Sequence, residues 1–181
     1  MKKIFLIGLL LMGSVVISKA QGSSDVGKAL NIYVSPTFSG GFGGMINGEF
    51  EIPMFVDNLT IAPYVGIGIA SYGVWVNNNN NPFISGNYVQ KPVLLLNAGV
   101  VAHYYFDWLI PNMPDKYDVF AKVKTAARLR LGDHNFNNQP YIPAYFSAKV
   151  GGRVNFSPSF SLYGAVGYGH SSIDFGLSFK M

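Results

Sequence analysis

Chemistry in this chain rests on few side chains. His103, His134 and His170 are its histidines, and it has no cysteine. Thiolate ligands, thiol nucleophiles and disulfides are therefore excluded together. The histidines are far apart in sequence, and no Ser–His–acid set or metal-ligand spacing joins them. Asp133-His134 offers a weak metal contact at most, and an adjacent pair of this kind is more often simply solvated. No enzyme activity is predicted, and no catalytic, cofactor-binding or metal-binding residue is assigned. The polar set worth following is different: Glu49, Glu51, Lys122, Lys124, Arg128, Arg130, Lys149, Arg153 and Asp174, with Asn47, Asn97 and His103. Six of these are basic and three acidic, so pairing alone cannot neutralise them if they share one compartment.

The elements carrying this set have a period of two. In the stretch Tyr145–Phe156, Phe146, Ala148, Val150, Val154 and Phe156 share one face, while Tyr145, Ser147, Lys149, Arg153 and Asn155 share the other. Val123, Ala127, Leu129 and Leu131 likewise oppose Lys122, Lys124, Arg128 and Arg130. Ile61, Val65, Ile67 and Ile69 oppose Thr60, Tyr64 and small residues, and Ile173, Phe175, Leu177 and Phe179 oppose Ser172, Asp174 and Ser178. Eight strands are predicted at about 31–39, 42–53, 59–74, 88–106, 118–131, 145–156, 159–168 and 171–179. Longer connections fall at Pro53–Asn58, Trp75–Asn87, Asp107–Tyr117 and Gly132–Ala144, and tight ones near Gly40, Ser157-Pro158 and Gly169-His170.

Such alternation suits a soluble sandwich or barrel with its apolar face inside. Three features favour the inverse. Gly66, Gly68, Gly99, Gly151, Gly167 and Gly176 lie on the polar face, where a narrow lumen needs missing side chains and a water-facing strand does not. The apolar face is almost free of charge, as hydrocarbon requires. Many strands reach the nine to eleven residues that cross a bilayer at a steep tilt. Charged residues are only 12% of the chain, well under the roughly one quarter usual for soluble domains. Phe38, Tyr104, Phe106, Trp108, Phe156, Tyr168 and Phe179 stand near strand ends, where aromatic girdles form.

The amino-terminal segment reads as an export signal. Lys2 and Lys3 precede an apolar run from Ile4 to Ile17, and Ser18-Lys19-Ala20 supplies the small residues of a cleavage site. The expected division is a signal peptide over 1–20, a short periplasmic leader over 21–30 and an outer-membrane barrel over 31–181. Removing Lys2, Lys3 and Lys19 from the 13 Lys and Arg leaves ten against nine Asp and Glu. The formal charge of +4 thus belongs largely to the precursor, and no nucleic-acid partner is expected.

The expected fold is all-β: an eight-stranded antiparallel up-and-down transmembrane β-barrel. On Leu59-Thr60-Ile61-Ala62-Pro63-Tyr64-Val65-Gly66 and the terminal Ile173-Asp174-Phe175-Gly176-Leu177-Ser178-Phe179, the chain resembles the small eight-stranded outer-membrane β-barrels of Gram-negative bacteria, especially the Bacteroidota versions. The resemblance covers roughly Asn31–Met181. Family members often end in an aromatic residue, whereas here Lys180 and Met181 follow Phe179. The resemblance implies outer-membrane lipids, barrel-assembly machinery and periplasmic chaperones as partners. An even strand number puts both termini in the periplasm, so Trp75–Asn87 and Gly132–Ala144 face outward. Three functions fit: a structural or envelope-maintenance barrel occluded by side chains and presenting surface loops, a narrow solute conduit, or adhesion and ligand binding through outer loops. For the last, Trp75, Phe83, Tyr88, Phe136 and Tyr141 supply apolar contacts and the asparagines of Asn77–Asn81 supply amides.

Overall fold

The computed structural model describes residues 27–37, 43–76, 87–131 and 144–181, with the backbone alone at 72–76 and 87–91. The predicted leader through residue 26, the Gly40 turn with Phe38, the run Asn77–Asn81, and Asp133-His134 with the rest of 132–143 lie outside the described residues. The eight strands are β1 (Ala29–Thr37), β2 (Gly43–Pro53), β3 (Leu59–Val76), β4 (Asn87–Tyr105), β5 (Tyr117–Leu131), β6 (Ala144–Ser157), β7 (Phe160–Tyr168) and β8 (Ile173–Lys180). Each pairs antiparallel with its chain neighbour, and β1 pairs with β8 from Ala29↔Lys180 to Val34↔Phe175, which closes the barrel. Closure leaves no edge strand, the condition for a sheet to lie in hydrocarbon. β1 opens at Ala29, two residues before the boundary read from the sequence, because Ala29 and Leu30 have partners in both β2 and β8.

The two faces sort as the alternation requires. Val65 (64% exposed), Phe146, Val150, Phe175 and many other large apolar side chains point outward, while a smaller set that includes Leu95, Val101 and Phe120 is buried. The polar positions point in and are buried. In water this arrangement would expose an apolar belt around the entire wall, far beyond the patch a soluble monomer tolerates. Surrounded by lipid, the same belt is the solvated face. The chain is therefore a small eight-stranded outer-membrane β-barrel, with both termini on the periplasmic side. At that end Phe156, Phe160 and Phe179 form a chain of rings with centroids 6.3 and 5.7 Å apart, and Tyr104 and Trp108 stand exposed nearby. These rings make the periplasmic aromatic girdle.

Periplasmic connections are shaped by local chemistry. Asn58 adopts φ 62° to turn β2 into β3, a conformation asparagine tolerates better than most residues. The longer link between β4 and β5 contains one turn of 3-10 helix at Asp107–Leu109, with Asn112 at φ 59°. Pro63 sits within β3 and has no N–H to give; the β2–β3 ladder passes from Glu49↔Tyr64 to Ile52↔Ile61 around it without losing register.

Lumen glycines answer two different constraints. At Gly66 a Cβ would meet Asn47 Oδ1 and Tyr64 Oη, both at 2.6 Å, so the crowding is from side chains crossing the lumen. At Gly99 a Cβ would lie 2.1 Å from the carbonyl oxygen of Thr125, on the neighbouring strand. That glycine lets β4 and β5 coil tightly enough to close a narrow barrel.

Candidate functional site

The lumen is the place where polar side chains converge, and strand register stacks them in tiers. Nearest the periplasm, Glu51 is completely buried and receives Arg153, Asn31 (2.6 Å), Thr60 (2.8 Å) and Tyr105 (2.6 Å). Arg153 also donates to Asn31 Oδ1 at 3.2 Å. A buried carboxylate is tolerable here because charge-assisted donors replace its lost water.

The middle tier is built on Lys122, Glu49 and Asp174. Lys122 Nζ lies 2.8 Å from Asp174 Oδ2 and 3.5 Å from Glu49, and donates to Tyr163 Oη at 2.5 Å. Lys149 donates to Asp174 Oδ1 at 2.6 Å, and Ser35 does so at the same distance. Tyr33 donates to Glu49, and His103 Nε2 lies 3.4 Å from that carboxylate. Around these charges, Tyr33, Tyr163, Phe120 and Tyr105 form a continuous series of rings with centroids 5.2 to 5.6 Å apart. Lys122 Nζ lies 4.4 Å from the centre of the Tyr33 ring, so ring faces share its solvation. This tier is a plug of close-packed side chains across the barrel, in keeping with the small bore of eight strands.

The outer tier is differently composed. Tyr145 donates to Tyr64 Oη (2.9 Å), which donates to Asn47 Oδ1 (2.7 Å). Arg128 reaches Asn97 Oδ1 at 3.1 Å and lies over the Tyr145 ring at 4.6 Å. His170, in the connection between β7 and β8, turns into the mouth: Arg128 Nη1 lies 3.3 Å from its Nδ1, and Thr37 Oγ1 donates to its carbonyl at 2.6 Å. Burial, with the Arg128 guanidinium beside it, lowers the imidazole pKa to about 4.

All twelve residues of the polar set followed from the sequence lie on the lumen face; Arg130, nearest the outer rim, is partly exposed and the other eleven are buried. Sequence reasoning missed Tyr33, Phe120 and Tyr163, although the signal existed: each shares strand parity with a polar neighbour, Asn31, Lys122 and Ser161. Among the described residues, no group of three or more His, Asp or Glu side chains is placed to hold a metal ion.

No family model matches the chain, and no curated protein matches it. Among solved structures, it is similar to the backbone structure of the Yersinia pestis outer membrane protein Ail in a phospholipid bilayer nanodisc. The two share 10% identity with a TM-score of 0.45, over 86% of this chain and 100% of that one.

Proposed function

We propose that this protein is a closed, non-conducting barrel that anchors outward-facing connections at the cell surface and contributes structurally to the envelope. The carrying observation is the middle tier, where Tyr33, Glu49, His103, Phe120, Lys122 and Tyr163 are all at most 2% exposed across the bore. A path for solute would have to break several charge-assisted contacts at once, each leaving a buried charge short of a partner. Assembly by the barrel-assembly machinery with periplasmic chaperones, and kinship with Bacteroidota barrels, belong to the same reading through the family resemblance.

A feature of the backbone favours recognition as the work of those connections. Pairing of β2 with β3 ends at Gly43↔Ala70, and that of β4 with β5 ends at Leu94↔Leu131. β3 and β4 continue together from Ser71↔Pro92 to Val76↔Asn87. At about 3.3 Å per residue this carries a two-stranded arm some 20 Å past the neighbouring described strands. A structural plug in the membrane does not need such an arm, whereas a surface contact does.

Planar bilayers and solute-loaded liposomes test the first part. Folded protein, shown inserted by protease resistance, should give no sustained single-channel current and no uptake of small neutral solutes. Stepwise currents with uptake would replace this reading with the conduit. Replacing 77–86 by a two-residue turn tests the connection that the arm carries. Folding should be retained, while attachment of expressing cells to arrayed glycans and extracellular proteins should fall; unchanged attachment would remove the recognition role.

A further inference from the structure

We infer that the lumen holds a small inorganic anion, of chloride size, between Lys124 and Ser147 on the outer side of the plug. The argument starts from charge. In the plug and the tier beneath it each carboxylate has a basic partner: Glu51 takes Arg153, Asp174 takes Lys122 and Lys149, and Glu49 takes Lys122, with Tyr33 donating to it as well. Lys124 follows next along the same face of β5, and among the described residues no carboxylate forms an ion pair with it. Its ammonium, 4% exposed, has one hydrogen-bond acceptor, Tyr33 Oη at 3.2 Å, and that hydroxyl is already committed to Glu49. Three tyrosine rings surround it, with Tyr64 closest at 4.2 Å. Ring faces favour a cation but do not neutralise it.

Ser147 supplies the second, independent observation. It stands directly across from Lys124 in the β5–β6 register, is 2% exposed, and its hydroxyl has no hydrogen-bond partner. A buried hydroxyl without a partner is uncommon and marks a place where a ligand or water belongs. Both residues line one cavity, together with Ser35, Tyr145, Lys149 and Asp174. The cavity measures about 10 Å³, room for a single small species. Size therefore excludes phosphate and sugars. Of the charged groups here, Lys122, Lys124 and Lys149 outnumber Glu49 and Asp174, which leaves one positive charge for a monovalent anion to answer. The ammonium can only donate and the hydroxyl has a proton to give, so their shared space suits an acceptor, and the ammonium repels a metal cation. Arg128 and Arg130, at the mouth above, give the approach a positive potential that draws anions inward.

The test uses the full mature chain folded in detergent micelles. Thermal unfolding is compared in sodium chloride and sodium gluconate at equal ionic strength, gluconate being too large for the cavity. At ten times its dissociation constant, chloride should raise the wild-type midpoint by about 3 °C or more. Lys124→Met should abolish the difference, and Ser147→Ala should reduce it. Equal midpoints in the two salts, or an identical response in Lys124→Met, would overturn the site. Should Lys124→Met fail to fold, crystals of the wild-type protein grown with sodium bromide decide the matter independently. An anomalous peak beside Lys124 Nζ and Ser147 Oγ supports the assignment, and a cavity with no bromide signal rejects it.

Discussion

The periplasmic and outer halves of the lumen are built from the same residue types but solve different problems. In the inner half every carboxylate of the polar set has a basic partner, and basic groups are shared among acids: Lys122 serves both Glu49 and Asp174, while Glu51 alone collects Arg153, Asn31, Thr60 and Tyr105. In the outer half Lys124 lies among tyrosine rings, and Arg128 reaches the Asn97 amide, the Tyr145 ring and His170. Low dielectric makes this difference consequential. A matched buried cluster locks the barrel shut, since removing any member strands the others. An outer half with surplus positive charge gains little rigidity from it, but offers a potential that a ligand or the outer connections can use. One compartment thus divides into a closure and a receptive mouth.

The sharpest way to break that comparison uses two lysines on one strand. Lys122→Met leaves Asp174 and Glu49 buried without their shared cation and should destabilise the folded barrel by about 3–5 kcal/mol. Lys124→Met removes a buried charge that lacks a carboxylate; in chloride-free buffer it should change stability by less than about 1 kcal/mol, or raise it. Urea midpoints in lipid vesicles measure both. Equal losses at the two positions would mean that the halves are not electrostatically distinct.

Why the halves differ could be read from the sequence only in part. Period-two alternation identified the lumen face, and the six-to-three excess of basic groups followed from counting along it. Parity is a strictly local property, which is why it survives without knowledge of pairing. The height of each residue is not local. Ser35 and Asp174 meet across 139 residues because β1 closes against β8, and nothing near either residue encodes that register. Thus the surplus was countable but not its confinement to the outer side. Tyr33, Phe120 and Tyr163 carry no charge, so a reading that follows ionised side chains along the polar face does not single them out, although they share its parity. His170 was placed correctly in an outer connection, yet its turn into the mouth depends on Thr37 and Arg128, which come from other strands.

His170 gives the last and smallest test, because it titrates at the receptive mouth and outside the membrane-spanning strands. Its folded pKa of about 4 lies below the ordinary value of 6.5, since burial and then the Arg128 guanidinium disfavour the imidazolium. The unfolded chain therefore binds this proton more readily than the folded one between those two values. Stability from His170 is complete above about pH 6.5 and declines as the pH falls toward 4, where the folded ring also begins to protonate. The loss at the acid end is on the order of 3 kcal/mol. His170→Gln keeps a polar side chain of similar reach but cannot titrate, so its unfolding midpoint should be less acid-sensitive than wild type across this window. At pH 7.5 the two proteins should differ little. The inner half supplies the internal control: its carboxylates are common to both proteins, so their contribution to acid sensitivity cancels in the difference. Parallel pH profiles for the two proteins would show that the imidazole is solvated at the mouth, and would reduce the outer half to an open rim.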